Sequence, residues 1–225
     1  NSIKGLNMND SNNLSVDAFY SMRSPYSYIA TYKMRELSEK YNVKFKIRFV
    51  YPIAIRIKGF FDKIDPLFPV YLKRDCIRVS EMKNIPFKWP TPDPIVMDYP
   101  NVAKDQPYIY RITRLGVLAS LYDKDLQYVC NVSKLIWDGN TIGWDKDNYL
   151  KNTLKSIGLD LRTMEKEIID REEELAQIIL KNENDQKETG HWGVPLFGFQ
   201  GEPFFGQDRI NVLLWKLKQH GLKEK

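Results

Sequence analysis

The segment "SMRSPYSYIA", from Ser21 to Ala30, joins the pattern of a short strand to the pattern of a helix. Before it, Val16 to Tyr20 alternate as the residues of a half-buried strand do. After it, apolar residues recur near helical spacing and form one stripe: Tyr26, Ile29, Ala30, Met34, Leu37 and Tyr41. Pro25 suits the first turn of a helix, and Ser24 is then a natural N-cap.

Ser24 and Ser27 have the spacing Ser-x-x-Ser, where a thiol redox protein would place Cys-x-x-Cys. A helix N-terminus carries partial positive charge and free N–H groups, so this position favours an anion or a thiolate. Cys76 and Cys130 lie far apart in the chain and form no such pair. The residues therefore disfavour redox dithiol chemistry. We expect buried structural thiols, with a disulfide between them as the alternative.

Composition limits the function classes. The chain has 225 residues, 43% of them hydrophobic, which suits one large domain or a domain with an insertion. No apolar run approaches the roughly 18 residues of a membrane span, and His191 and His220 give no zinc-ligand spacing. The net charge of +5 is most simply that of an ordinary solvated surface. A basic opening to a site for a small anionic ligand is the second interpretation, and nucleic-acid binding is the third. Residues 1–15 lack the apolar centre of a signal peptide, which predicts a disordered or added tail and a cytoplasmic location.

The rest of the chain repeats strand and helix patterns around a helical middle. Val43 to Phe49 alternate strictly as a strand, so the N-terminal part is a βαβ unit. Between 52 and 160 no comparable strand pattern occurs, and the Pro-rich Trp89 to Pro100 predicts an ordered irregular loop. Helical patterns flank this loop at 66–83, 107–138 and 144–157.

The C-terminal part returns to mixed structure. Leu161 to Glu188 predict one amphipathic helix, and "GVPLFGFQGEPFFG" predicts a hairpin with Gln200-Gly201 at its turn. A final helix follows Ile210, with Gly221 at the position of a C-cap glycine. The element order is that of an α/β thioredoxin-like fold of the DsbA and kappa type. A helical subdomain is then inserted between a βαβ half and an αββα half.

This order assigns residues 16–51 and 161–221 to the thioredoxin-like domain and residues 52–160 to the helical insertion. In this layout the loop before the third strand faces the N-terminus of the first helix, and here it contains Pro195. A cis Val194–Pro195 bond would turn the Val194 backbone outward to pair with an extended ligand. His191 and Trp192, just before this loop, either line the substrate side or pack internally.

Three motifs occur in the same order as in a known family: Ser24-Pro25-Tyr26, Gly193-Val194-Pro195 and Phe205-Gly206-Gln207-Asp208-Arg209. With them, the sequence resembles the 2-hydroxychromene-2-carboxylate isomerases and kappa-class glutathione transferases, in the DsbA-like branch of the thioredoxin fold. The resemblance runs from about Val16 to Gly221. It includes the inserted segment from Tyr71 to Ile95.

The resemblance implies glutathione as cofactor or co-substrate, with these binding residues: Ser24, Pro25, Tyr26, Val194, Pro195, Gln207, Asp208 and Arg209. By this resemblance Ser24 would be the catalytic residue and would hydrogen-bond the glutathione sulfur. Considered without the other two motifs, Ser24 could serve only as the N-cap of the helix. Val194 would pair through its backbone with the tripeptide. Gln207 and Asp208 would hold the γ-glutamyl end, although Asp208 could equally cap the last helix. No metal is expected.

The same resemblance implies a small aromatic or conjugated second substrate and leaves room for a homodimer. Neither a nucleic acid nor a membrane is expected as a partner. A thioredoxin-like module that binds a peptide or glutathione without chemistry is the alternative, and a disulfide oxidoreductase ranks third. Relatives often use an asparagine after the second strand to contact the ligand, but Tyr51 to Pro69 contain none. Arg56, Lys58 or Lys63 would have to replace it.

Overall fold

The computed structural model describes residues 13–225. The strands are β1 (Leu14–Tyr20), β2 (Val43–Phe49), β3 (Met97–Asp98), β4 (Asn101–Val102), β5 (Leu196–Phe199) and β6 (Glu202–Phe205). The helices are α1 (Pro25–Lys40), α2 (Ile53–Arg56), α3 (Phe60–Lys63), α4 (Leu67–Met82), α5 (Ile109–Leu121), α6 (Asp125–Trp137), α7 (Tyr149–Ser156), α8 (Leu161–Asp170), α9 (Glu172–Thr189) and α10 (Ile210–Lys218). Most of the predicted tail, residues 1–12, lies outside the described residues, and β1 begins at Leu14.

A mixed sheet in the order β2-β1-β5-β6 forms the centre of the protein. β1 pairs parallel to β2, with Val16 opposite Phe45, and antiparallel to β5, with Ala18 opposite Phe197. All four of these residues are at most 1% exposed, because β1 and its neighbours are covered on the faces of the sheet. The predicted βαβ unit and the α/β thioredoxin-like fold are confirmed.

Helix α1 begins where the sequence predicts. Ser24 has extended backbone angles, and its Oγ accepts a hydrogen bond of 3.1 Å from the Ser27 N–H, so Ser24 is the N-cap. The apolar stripe of α1, including Met34 and Leu37, is buried against the core. This contact fixes the direction of the helix, and therefore the place where its N-terminus emerges.

The inserted part is helical, as predicted, but its details differ from the sequence pattern. The 107–138 pattern is two helices, because the chain turns between α5 and α6 at Asp123, which has φ of 57°. Helix α5 lies close to β2: a Cβ on Gly116 would sit 2.5 Å from the Phe49 ring. The two-residue strand β3 lies in the Pro-rich loop and pairs with β4 directly after it; both strands are too short to show alternation in sequence.

The prediction of one helix over 161–188 was wrong. The helix is interrupted at Arg171, and the resulting two helices, α8 and α9, both pack against α5. The predicted hairpin is confirmed, with Gln200 and Gly201 at φ of 50° and 79°, the left-handed values of a type I′ turn. Gly221 ends α10 at φ of 94°, with the Leu222 N–H donating to the carbonyl of Leu217, so the C-cap prediction is also confirmed.

Candidate functional site

A cavity of about 940 Å³ opens at the N-terminus of α1. The loop before β5, helices α2 and α3, the first turns of α4 and the Pro-rich loop form its other walls. The aromatic residues of the wall are Tyr26, Tyr51, Phe60, Phe61, Phe68, Trp89, Tyr99, Trp192 and Phe205. Its size falls near the upper end of ordinary small-molecule sites, about 300–1,000 Å³, and its lining is mostly apolar, as such sites usually are.

Ser24 lies in the cavity wall together with Pro25 and Tyr26. Its Oγ accepts the Ser27 N–H, so the hydroxyl hydrogen of Ser24 is available to an acceptor in the cavity. Pro25 has no N–H, and the Tyr26 N–H meets no acceptor among residues 13–225. The first turn carries no acidic side chain. The partial positive charge of the helix terminus is therefore presented to the cavity.

Val194 lines the same cavity. The Val194–Pro195 bond is cis, as the topology predicts. No backbone hydrogen bond joins Val194 to another residue of 13–225, because pairing in the sheet starts at Leu196. Pro195 lies behind the wall, where its carbonyl accepts the Gly206 N–H at 2.9 Å. A backbone amide and carbonyl are thus free next to the cavity.

The motif at the start of the last helix lies elsewhere. Gln207, Asp208 and Arg209 form a 3-10 turn that packs against α1, and none of them belongs to the cavity wall. Gln207 is 8% exposed, and its Oε1 has no partner among the described residues. Asp208 and Arg209 form an exposed ion pair of 3.0 Å. The structure therefore groups Ser24, Pro25, Tyr26 and Val194, and leaves Pro195 and the 207–209 turn outside the cavity wall.

Of the three cations proposed to replace the family asparagine, Arg56 lines the cavity. Its Nε lies 3.5 Å from Glu183, and its Nη1 donates to Gln186 at 3.1 Å. Lys58 and Lys63 are not part of the wall, and the Lys63 Nζ donates to the Lys58 carbonyl at 3.1 Å. Arg56 alone of these three is placed to meet a ligand.

The sequence analysis missed an ion pair beside Ser24. Arg23 donates from Nε and Nη2 to the two carboxylate oxygens of Asp93, at 3.2 and 3.0 Å. Trp89 Nε1 also donates to Asp93, at 3.0 Å, and the Arg23 guanidinium lies 5.1 Å from the Trp89 ring centre. Burial alone would raise the pKa of Asp93, but the Arg23 charge and these donors hold it below its usual value. The sequence offered one signal for this ion pair: Asp93 is a single acidic residue between Pro92 and Pro94.

Tyr26 is held in the wall by a second carboxylate. Its hydroxyl donates to Asp75 Oδ2 at 2.6 Å, and burial followed by this hydrogen bond raises the pKa of Tyr26. The neighbouring Cys76 is fully buried, and burial raises the pKa of its thiol to about 12. Burial likewise raises the pKa of Cys130 to about 12. Both are free thiols, both stay protonated at neutral pH, and neither lines the cavity.

Two features of other kinds of site are absent from residues 13–225. No cluster of His, Cys, Asp and Glu there could hold a metal ion. Within the same residues, no helix has both the length and the apolar character needed to cross a bilayer.

Comparison with known proteins agrees with this fold. The family model of the DSBA-like thioredoxin domain matches residues 15–218. Among solved structures, 2-hydroxychromene-2-carboxylate isomerase is 19% identical with a TM-score of 0.67, over 92% of this chain and 95% of that one. A probable DsbA oxidoreductase from Streptomyces coelicolor is 12% identical with a TM-score of 0.63, over 92% and 89% of the chains.

The cytosolic disulfide reductase DsbM from Pseudomonas aeruginosa, solved with GSH, is 13% identical with a TM-score of 0.52. This likeness covers 91% of the present chain and 100% of the other. No curated protein matches the chain. At these low identities, the solved structures show a shared fold and leave the activity to be argued from the cavity itself.

Proposed function

Because the chain belongs to the family of DSBA-like thioredoxin domains, we propose that it is a glutathione-dependent enzyme, an isomerase of the 2-hydroxychromene-2-carboxylate type or a kappa-like transferase. One observation carries the proposal. A capped helix N-terminus with a free serine hydroxyl faces a large apolar cavity, and no thiol of the chain lines that cavity. The site is therefore suited to stabilise a thiolate that arrives with a ligand.

In this proposal Ser24 lowers the pKa of the bound thiol. A free thiol has a pKa of about 8.5 and is mostly protonated at pH 7. The Ser24 O–H, the Tyr26 N–H and the helix terminus would all favour the thiolate. The free backbone groups of Val194 would pair with the tripeptide. A homologue of this fold has been solved with GSH, which supports the choice of thiol.

The apolar wall would receive a small aromatic or conjugated second substrate. In the isomerase, the thiolate electron pair would form a C–S bond to the conjugated substrate and move the π pair onto the carbonyl oxygen. Rotation about the new single bond and elimination of the thiolate would then give the isomer. In the transferase the adduct would leave instead. Both reactions need a positioned thiolate and stabilisation of the enolate or leaving group.

A non-catalytic binding module is the second candidate. The unpaired Val194 backbone and the half-exposed side chain of Trp192 would suit an extended peptide as well as glutathione. The two candidates differ in whether the sulfur matters. Calorimetric titration with glutathione and S-methylglutathione separates them, because only the enzyme is expected to prefer the ligand with a free thiol. A homodimer and a cytoplasmic location stay predictions.

The test of the enzyme is the thiolate absorbance of bound glutathione against pH, in wild type and Ser24→Ala. We expect Ser24→Ala to raise the pKa of the bound thiol by about one unit, because one neutral hydrogen bond is worth about 0.5–1.5 kcal/mol. Asp160→Ala is the matched control, since Asp160 caps α8 through the Thr163 N–H far from the cavity wall. Superimposable titrations of wild type and Ser24→Ala would reduce Ser24 to a helix cap.

A further inference from the structure

The backbone just before Val194 is held from both sides by side chains. On the amide side, the Gly193 N–H donates to His191 Nδ1 at 2.8 Å. On the carbonyl side, Gln186 Nε2 donates to the carbonyls of Trp192 and Gly193, at 3.0 and 2.9 Å. Val194 itself forms no backbone hydrogen bond within residues 13–225. Its orientation therefore depends on how its neighbours are held.

Gln186 is fixed by contacts of its own. Its side chain belongs to α9 and is 0% exposed, on the buried face of the helix that also carries Leu175, Ile179 and Asn182. Its Oε1 accepts from Arg56, so the amide must turn its NH₂ group toward the loop. Arg56 is held in turn by Glu183. A chain of contacts thus runs from Arg56 in the cavity wall to the carbonyl of Gly193.

His191 is fixed by stacking. Its ring lies on the Phe205 ring, with centroids 3.9 Å apart and planes 16° from parallel. Gly193 can lie this close to both rings only because it has no side chain: a Cβ there would sit 2.4 Å from the Phe205 ring and 3.1 Å from the His191 ring. The imidazole nitrogen that accepts the Gly193 N–H therefore has little freedom to move away.

We propose that Gln186 and His191 form a peptide clamp, defined as the pair of side chains that hold the Trp192–Gly193–Val194 backbone. The clamp presents the free amide and carbonyl of Val194 to an extended ligand in the cavity. As a device for glutathione it rests on the proposed function above. Both residues are positioning residues, because they act on the ligand through the Val194 backbone.

The His191 side of the clamp opens in acid. Nδ1 can accept the Gly193 N–H only while it carries no proton, and burial lowers the pKa of His191 from its ordinary value of 6.5. The elements that contact this loop carry Arg56 on α2, Glu183, Asp185, Lys187 and Glu188 on the last turns of α9, and Glu202 on β6. None of these charges contributes to the pKa shift of His191, which is caused by burial. Arg56 pairs with Glu183, Glu202 pairs with a lysine of α10, and His191 has no ion-pair partner within residues 13–225. The ring is therefore neutral at pH 7, and the hydrogen bond from the Gly193 N–H to Nδ1 is lost as the pH falls through the lowered pKa of His191.

Amide hydrogen exchange at Gly193, followed by NMR, tests the clamp without any ligand. We expect Gln186→Met and His191→Phe to speed this exchange about tenfold relative to wild type, the effect of losing about 1.4 kcal/mol of hydrogen bonding. Asn182→Leu is the matched control. Asn182 is also a buried amide of α9, but it donates to the Phe49 carbonyl instead of the loop. Exchange at Gly193 that is unchanged in both clamp variants would overturn the proposal.

The pH dependence separates a clamp from simple packing. His191→Asn keeps an acceptor for the Gly193 N–H but does not titrate. Relative to the intrinsic exchange rate, wild-type protection of Gly193 should fall as the pH is lowered below 6.5, whereas that of His191→Asn should stay constant. His191→Phe keeps the stack on Phe205 and should be unprotected throughout. Equal pH profiles in wild type and His191→Asn would refute the His191 side.

Glutathione affinity tests whether the clamp serves a ligand. Wild-type and Asn182→Leu proteins should bind equally, and Gln186→Met should bind about 2- to 10-fold more weakly if one ligand–backbone contact is misplaced. Fast exchange at Gly193 with unchanged affinity would mean that the clamp does not serve the ligand, which overturns its proposed role. No binding to wild-type protein would refute the proposed function instead, and the exchange data alone would then decide on the clamp.

Discussion

Replacing Asp93 by asparagine removes the carboxylate that neutralises Arg23 beside Ser24. Asp93 Oδ1 accepts from Arg23 Nε and the Ile95 N–H, and Oδ2 accepts from Arg23 Nη2 and Trp89 Nε1. Asparagine can keep one oxygen in place, but its NH₂ group then faces two donors. Losing one neutral and one charged hydrogen bond predicts a loss of about 2–4 kcal/mol in the free energy of unfolding at pH 7.

The pH dependence of this loss identifies its cause. Because Arg23 and the neighbouring donors hold the pKa of Asp93 below its usual value, the carboxylate contributes stability above the unfolded pKa of about 3.9. That contribution is lost as the pH falls through the folded pKa. Urea denaturation should therefore show a wide gap in the free energy of unfolding between wild type and Asp93→Asn at pH 7, and this gap should narrow progressively as the pH is lowered below about 4.

The control is an ion pair with the same distance and more exposure. Asp208 and Arg209 also meet at 3.0 Å, but their side chains are 62% and 55% exposed, against 24% and 19% for Asp93 and Arg23. Exposed pairs contribute about 0–1 kcal/mol, so Asp208→Asn should cost far less. Equal losses in the two variants, or a gap for Asp93→Asn that does not change with pH, would refute this reasoning.

Two further variants test the packing and the thiols. Gly116→Ala should destabilise the protein by about 1–3 kcal/mol in urea denaturation, because its Cβ would press on the Phe49 ring at 2.5 Å; a loss near zero would show that α5 can move away from β2. The double variant Cys76→Ser and Cys130→Ser should keep any glutathione-dependent activity, since neither thiol lines the cavity. Loss of activity with an unchanged circular dichroism spectrum would indicate a mechanism that uses the protein's own sulfur.

The elements that the sequence predicts correctly have local causes. Ser24 caps α1 by bonding to an N–H three residues on, and the Gln200-Gly201 turn and the Gly221 cap need only left-handed backbone at one or two positions. Such signals depend on residue type and on near neighbours, so they can be recognised without the tertiary structure. The interruption between helices α8 and α9 at Arg171 was missed because the charged, helix-forming residues on both sides of it are compatible with one long helix.

The cavity depends on contacts that no local pattern contains. Arg23 and Asp93 are 70 residues apart in the chain, and Arg56 and Gln186 are 130 residues apart. Gln186 carried a weak signal, since it is a polar residue on the buried face of an amphipathic helix. A buried amide of this kind must find partners, but the sequence does not say which backbone it will meet. The fold could therefore be predicted, whereas the contacts that shape the cavity could not.

The proposed role of Ser24 depends on the groups that surround it in the cavity wall. Ser24 could act as a nucleophile only with a base beside it, and His191 is the histidine of the cavity wall. With Nδ1 of His191 accepting the Gly193 N–H, the neutral ring carries its proton on Nε2 and has no free lone pair for Ser24. Ser24 is then left as a hydrogen-bond donor at a positive helix terminus. Cys76 and Cys130 are protonated and lie outside the wall, which is why the proposed function has the thiolate at Ser24 come with the ligand.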